Sequence, residues 1–189
     1  SNFDPELKII PAKGKVFDPT SPSVQTVRNI PEILFSSEVL QENALVKYTD
    51  RQEVAVIKGV DENFEKLTRI DSVLINGRFA LREDVVYYAT LGIGLASTLG
   101  INAGFITPLE IFVPKRNEPV NMANPATSFN TEYAYIAGVF CINQQGYDER
   151  FMIVPLEMSR ELFRYEKEVS TIELKLQQGS NITSVQKQI

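Results

Sequence analysis

The 189-residue sequence contains no histidine, no tryptophan and a single cysteine, Cys141. Zinc sites are commonly built from several His or Cys ligands, and the common serine triad needs a histidine base, so this chain can form neither. Serines such as Ser36, Ser97 and Ser159 therefore have no imidazole to activate them. Cys141 lies in the apolar run 136–142, where we interpret it as a small hydrophobic residue. We expect no metal and no cofactor.

Positive charge is also scarce. The chain has 19 Lys and Arg against 24 Asp and Glu, which gives a net charge of -5, and the basic residues are scattered singly. Nucleic-acid binding requires clustered Lys and Arg that replace counterions along the phosphate backbone. We therefore expect no nucleic-acid partner.

A long neutral segment is the most prominent feature that is present. No charged residue lies between Asp84 and Glu110, but Gly100 and Pro108 interrupt the segment, so it predicts a protein core and not a membrane-spanning helix. The spacing of its apolar residues predicts a helix over 84–99, ended by Gly100, and a buried strand over 107–113. Glycines at 92 and 94 within that helix suggest that another backbone passes close by.

The other hydrophobic patterns predict short strands and helices. Strands are predicted at residues 7–10, 33–40, 44–48, 53–60, 72–80, 133–142, 151–154 and 171–176. Helices are predicted at residues 21–30, after Asp61, after Pro155, and from a Ser180 cap towards Ile189. The strand at 151–154 is expected to pair back onto 133–142 through a turn at 144–146, and Glu173 is expected to face solvent.

This order of elements predicts an α+β fold with antiparallel or mixed sheets. Residues 61–150 could form a second lobe inserted into the first. The chain begins with Ser1 instead of Met, and its last apolar stripe has no helix-ending signal, so we expect native sequence beyond both ends.

Two segments carry candidate functions. Residues 114–130 contain three prolines and four asparagines, which predicts a long loop that either binds a partner or simply connects two strands. The acidic pairs Asp61/Glu62, Glu83/Asp84 and Asp148/Glu149 could serve as general acid and base in a hydrolase. Each pair lies at a predicted helix start or turn, which favours a structural role. The sequence therefore predicts an interaction module and no enzyme.

Five segments, taken in order, resemble one protein family. They are DPELKIIPAKGKVF (4–17), ALVKYTDRQEVAVIKGVDENF (44–64), LGIGLASTLGI (91–101), YIAGVF (135–140) and VPLEMSRELFRYEKEVSTIELKL (154–176). Together they resemble the periplasmic, MacB-like domain of FtsX-like ABC transporter permeases, the group that includes the lipoprotein-releasing and macrolide-export systems. The similarity extends over nearly the whole chain.

The resemblance implies a two-lobed domain on the periplasmic face of the bacterial inner membrane. A βαβ-rich, porter-like lobe would comprise residues 1–60 and 151–189, and an inserted, mostly β lobe would comprise residues 61–150. The implied partners are a separate ATPase subunit or domain, which would hydrolyse ATP, a second permease subunit, and a periplasmic lipoprotein carrier or adaptor. The domain would transmit the ATP-driven motion.

In the lipoprotein-releasing subtype, the resemblance also implies a protruding hairpin that recruits the lipoprotein carrier. The matching segment is 113–131, where Met122 and Pro125 correspond to the tip pattern, although no glycine lies between them. The candidate partner-binding residues are Lys115, Arg116, Pro119, Val120, Met122 and Pro125. A macrolide-export permease domain that docks a periplasmic adaptor is the alternative within the family.

Overall fold

The structure, a computed structural model, describes residues 3–101, 104 and 106–188. The described residues form ten strands and six α-helices, which confirms the α+β class. The strands are β1 Leu7–Ile9, β2 Ile33–Tyr48, β3 Arg51–Val60, β4 Leu74–Gly77, β5 Arg82–Glu83, β6 Val86–Gly92, β7 Leu109–Pro114, β8 Phe129–Phe140, β9 Phe151–Pro155 and β10 Thr171–Leu176. The helices are α1 Pro22–Arg28, α2 Phe64–Thr68, α3 Ile93–Leu99, α4 Gln145–Asp148, α5 Leu156–Phe163 and α6 Ile182–Lys187. Short 3-10 turns occupy Ile70–Val73 and Pro125–Ser128.

Six strands pair into a closed ring. Following the ring, β2 pairs with β3, β3 with β9, β9 with β6, β6 with β8, β8 with β7, and β7 with β2. The β3–β9 and β6–β8 pairs are parallel and the others are antiparallel, as expected for a mixed sheet. The remaining large strand, β10, pairs with the first half of β2 outside the ring, and β1 pairs with β10.

The interior of the ring is the main hydrophobic core. Small residues from several strands face inward, including Ala44, Ala55, Ala89 and Ala134, each no more than 5% exposed. A ring of few strands has room inside only for side chains, so small residues let the strands close around the larger Leu91, Ile57 and Met152. Leu95 and Leu99 of α3, together with Met158 and Leu162 of α5, complete this core.

Glycines allow helices and loops to approach the ring closely. A Cβ at Gly92 would collide with the Asp148 carbonyl group, and one at Gly94 would lie 2.9 Å from the Glu149 Cα. This confirms the predicted backbone approach at both positions. A Cβ at Gly59 on β3 would similarly collide with the side chain of Ser159 on α5.

The predicted helix over residues 84–99 is wrong in its first half. Residues Val86–Gly92 form strand β6, which lies between β8 and β9, and only Ile93–Leu99 is helical. Valine, tyrosine and threonine side chains favour a strand with neighbours on both sides, and Asp84 has a left-handed φ of 54°, which prevents a helix from starting there. Gly100 ends α3 at a φ of 67°, as predicted. Among the described residues, no helix is long and apolar enough to cross a bilayer.

Strand pairing differs from the prediction in two places. The strands predicted at 33–40 and 44–48 are one strand, because Gln41, Glu42 and Asn43 continue the ladder with β3. Strand β9 does not pair back onto β8. Helix α4 replaces the predicted turn at 144–146 and redirects the chain, so that β9 runs parallel to β3 and antiparallel to β6.

Two smaller predictions, for the cap of the last helix and for Cys141, are also corrected. The cap of the last helix is Asn181, whose side chain accepts a hydrogen bond from the Ser184 N–H at 3.0 Å, and not Ser180. Cys141 follows β8 and is half-buried, with its Sγ 3.7 Å from Asp148 Oδ2. Ile189, predicted to extend the last apolar stripe, lies outside the described residues.

Glu173, predicted to face solvent, is buried in an ion pair. Its Oε1 lies 2.8 Å from Lys58 Nζ, and the two side chains are 7% and 2% exposed. The Lys58 ammonium also lies over the rings of Phe64, at 5.3 Å, and Tyr147, at 5.9 Å. The pair links β3 to β10 across β2, so it attaches the outer strands to the ring.

The two-lobe division, with residues 1–60 and 151–189 in one lobe and 61–150 in the other, stays a prediction. The ring takes β2, β3 and β9 from the first set of residues and β6, β7 and β8 from the second. Its core likewise contains residues of both sets.

Replacing Lys58 by Met should lower the free energy of unfolding by about 3–5 kcal/mol, because the buried Glu173 carboxylate loses its partner. Urea denaturation measures this loss. A second replacement, Glu173→Leu in the Lys58→Met background, should recover most of it. As a control, Glu83→Ala breaks the Arg78–Glu83 pair, whose side chains are 55% and 53% exposed, and should cost less than about 1 kcal/mol.

Gly92→Ala should destabilise the protein by about 1–3 kcal/mol, because its new methyl group collides with the backbone of Asp148. Gly146→Ala is the matched control. Gly146 lies in α4, and a methyl group added there would have nothing within 4 Å, so the same substitution should be neutral or slightly stabilising. Equal thermal stabilities of the two variants would contradict the close approach at Gly92.

Candidate partner-binding hairpin

The predicted loop at 114–130 forms the end of a hairpin that projects from the ring. Strands β7 and β8 stay in register up to Pro114 and Phe129, and Lys115 N–H then donates to the Ser128 carbonyl oxygen at 2.9 Å. The non-strand part is therefore residues 115–128, somewhat shorter than predicted. Because both of its strands belong to the closed ring, the base of the hairpin is fixed on a rigid support.

Side chains at the tip hold its backbone in shape. Asn121 Oδ1 accepts hydrogen bonds from the N–H groups of Ala123, at 3.0 Å, and Asn124, at 3.3 Å. Ser128 is buried, and its Oγ accepts the Asn121 N–H at 2.7 Å. Asn121, one of the asparagines that indicated a loop in the sequence, thus bonds to the backbone of the loop itself.

The tip presents apolar side chains to solvent. Met122 is 84% exposed and Val120 is 51% exposed, and Pro119 and Pro125 are exposed as well. An exposed methionine on an ordered loop offers a flexible apolar contact to another surface. The four predicted tip residues therefore share the exposed end of the hairpin.

The other two predicted residues lie at the base, next to the end of α5. Arg116 Nη2 donates to the Arg164 carbonyl oxygen at 2.5 Å, and its guanidinium lies 4.0 Å from the centre of the Tyr165 ring. The Tyr165 hydroxyl in turn donates to Glu42 Oε1 on β2 at 3.3 Å. Burial, and then the charge of Glu42, raises the pKa of the Tyr165 hydroxyl. We call Arg116, Tyr165 and Glu42 the base clamp.

Beside the base clamp lies an open cavity of about 430 Å³ with a basic lining. Its walls are formed by Lys115, Arg116, Asn117, Glu118, Asn130 and Arg164. Three basic residues against one acidic residue make this a locally positive site on an acidic chain. Sequence reasoning missed Arg164 and Tyr165, because they are distant in the chain from the loop and come to it only through the position of α5. It included Asn130 in the predicted loop but gave it no role.

One residue of each acidic pair proposed for catalysis bonds to the backbone or pairs with a neighbouring side chain. Asp61 accepts hydrogen bonds from Ser37 Oγ and from the N–H groups of Glu38 and Asn63, at 2.8–3.0 Å. Asp148 is buried and accepts the Ile142 N–H at 2.9 Å. Glu83 pairs with Arg78 on the surface. Across the described part of the chain, no group of three or more His, Cys, Asp or Glu residues is placed to hold a metal ion.

A different acidic cluster, absent from the sequence predictions, connects β8, β6 and α5. The Tyr87 hydroxyl of β6 donates to Glu161 Oε1 of α5 at 2.8 Å. Burial first, and then Glu161, raises the pKa of Glu132 to about 7. The same two causes raise the pKa of Tyr87 to about 12.

No protein-family model and no curated protein matches this sequence. Solved structures do match. The extracellular domain of the noncanonic ABC-type transporter YknZ from Gram-positive bacteria aligns with a TM-score of 0.62 at 12% identity, over 92% of this chain and 80% of its own. The periplasmic region of MacB from Actinobacillus actinomycetemcomitans aligns with a TM-score of 0.58 at 11% identity, over 91% and 78% of the two chains. This chain has the fold of extracytoplasmic permease domains.

A domain of a permease protein from Porphyromonas gingivalis has the same fold, with a TM-score of 0.54 at 16% identity over 93% of this chain and 68% of the other. The permease-domain fold thus extends over nearly all of the present sequence. The matching domain of YknZ belongs to an ABC-type transporter. At these identities the comparison establishes the fold, and the role of the hairpin rests on its own geometry.

Arg116→Ala should loosen the hairpin base without unfolding the ring, because it removes the contacts to Arg164 and Tyr165. We expect faster hydrogen exchange of the Lys115 amide and a change of less than about 1 kcal/mol in global stability. Arg116→Lys keeps the charge but loses the planar stacking, so it should behave like Arg116→Ala. Unchanged exchange in both variants would show that the base clamp does not hold the hairpin.

Proposed function

We propose that this chain is the extracytoplasmic domain of an ABC transporter permease, positioned on the periplasmic face of the bacterial inner membrane. The observation that carries the proposal is the fold, which three permease domains share over 91–93% of the chain. The domain has no catalytic role in this proposal. A separate ATPase subunit or domain hydrolyses ATP, and a second permease subunit completes the transporter.

The domain acts as a rigid body that passes motion to a periplasmic partner. The closed ring supports this role, because each of its six strands is hydrogen-bonded on both sides and cannot shift alone. The hairpin continues two of those strands outward. A displacement of the ring is therefore carried directly to the tip.

The hairpin is the proposed docking element, and lipoprotein release is the proposed process. Support comes from the exposed Met122 and Val120 on a tip whose backbone is internally bonded, and from the basic residues Lys115 and Arg116 at its base. The partner is then a periplasmic lipoprotein carrier. A macrolide-export type of permease that docks an adaptor is the second candidate, favoured by the similarity to the periplasmic region of MacB.

Met122→Asp should weaken binding of the purified lipoprotein carrier of the same organism by at least about tenfold, because a charge replaces an apolar contact at the centre of the interface. Titration calorimetry with the full transporter measures this. Val85→Asp is the matched control, because Val85 is 85% exposed and lies between β5 and β6, outside the hairpin. This substitution should leave the affinity for the carrier within about twofold of the wild-type value.

The same titration with the purified adaptor separates the two subtypes. If the adaptor binds and the carrier does not, and if Met122→Asp weakens binding of the adaptor, the domain would be assigned to the export type. If neither protein bound, or if deleting residues 117–126 left both affinities unchanged, the docking role of the hairpin would be wrong. Deletion of the whole domain tests the permease assignment itself. Export of the transported product should then be lost.

A further inference from the structure

A small cavity lies between the segment before β1, the end of α2 and strand β10. Its volume is about 330 Å³, at the lower end of the range for small-molecule pockets. The polar side chains of its lining belong to Asp4, Glu6, Thr68, Arg69, Glu173 and Lys175. Among the described residues, none that lines this cavity belongs to the hairpin, so the cavity is separate from the proposed docking element.

The buried carboxylate of Glu173 lies on the cavity side of β10. Its neighbours Ile172 and Leu174 belong to an apolar cluster on the opposite face, so strand alternation directs Glu173 towards α2, whose last residues line the cavity. Glu173 is 5% exposed, and its Oε1 lies 2.8 Å from Lys58 Nζ. Its Oε2 is also buried and has no hydrogen-bond partner among the described residues. A buried carboxylate oxygen without a donor is costly, so this side of the cavity has an acceptor that a ligand can satisfy.

Two exposed side chains of opposite charge line the same cavity without pairing. Asp4 and Arg69 make no ion pair and no side-chain hydrogen bond, either with each other or with another described residue. Glu6 and Lys175, in contrast, already bond to backbone groups. The cavity therefore offers a free carboxylate and a free guanidinium that are too far apart to neutralise each other.

We propose that this cavity binds a small zwitterion, a molecule that carries a primary ammonium group and, a few bonds away, a carboxylate or a phosphate. The ammonium group donates to Glu173 Oε2, and the anionic group binds the guanidinium of Arg69, whose planar fork suits both carboxylate and phosphate. Lys58 already neutralises Glu173, so Asp4 supplies the negative charge that a second cation needs.

Both charges of the ligand are required by this lining. A ligand with only a cation would leave Arg69 unpaired, and a ligand with only an anion would meet the carboxylates of Glu173 and Asp4. The site does not depend on the transport role proposed above, because none of its residues takes part in the hairpin.

An NMR titration of the isotope-labelled protein tests the site, with L-alanine as the carboxylate probe and phosphoethanolamine as the phosphate probe. At least one of them should shift the amide signals of Thr68, Arg69 and Lys175 in a saturable way. The probe with the higher affinity identifies the anionic group. Acetate and ethylammonium each carry half of the charge pattern and should bind at least about tenfold more weakly.

Arg69→Ala and Asp4→Asn should each weaken binding of the zwitterionic probe at least about fivefold. Both residues are exposed, so the variants should keep the wild-type fold. Arg150→Ala is the matched control, because Arg150 is also exposed but lies outside the cavity, and it should leave the affinity within about twofold.

The double substitution of Lys58→Met with Glu173→Leu removes the buried carboxylate together with its partner. It should abolish binding of the zwitterionic probe while the other amide signals stay dispersed as in the wild type. If neither probe shifted the amide signals of the cavity, or if Arg69→Ala and Asp4→Asn titrated like the wild type, the zwitterion site would be refuted.

Discussion

Closure of the six-strand ring is the constraint on which the rest of the structure depends. Strand β7 completes it by pairing with β2 on one side and β8 on the other. Without β7, the inner faces of β2 and β8 would be exposed along one side, and the core that contains Val46 and Ala134 would open to water. The neutral segment between Asp84 and Glu110 supplies strand β6 and helix α3 and leads into this closing strand.

Two kinds of contact fix the surrounding helices and strands against the ring. Close glycine contacts bring α4 and α5 against it, at Gly92 and Gly59, with no space for a methyl group. The buried Lys58–Glu173 pair then attaches β10, and with it β1, to the outside of the ring. Hydrophobic burial drives assembly of the ring, while steric fit and one ion pair determine where the surrounding elements lie.

Much of this arrangement is predictable from local pattern. The helix at 22–28, the strand at 171–176 and the glycine stop at Gly100 follow from turn residues and alternating hydrophobicity. Residues 86–92 are mistaken for a helix because a fully buried strand has no alternation and can match helical spacing by chance. Ring closure and the burial of Glu173 could not be predicted, since each depends on contacts between segments that are far apart in sequence.

The candidate site is likewise predictable from the sequence only in part. Its exposed tip is recognisable from proline and asparagine content, whereas the base clamp depends on the placement of α5. The tip residues bond mostly among themselves, through Asn121, Asn124 and Ser128, and contribute nothing to the ring core. Such a segment can change length and composition during evolution at little cost to folding. Proteins with this fold could therefore acquire new partners by replacing this tip while they keep an unchanged scaffold beneath it.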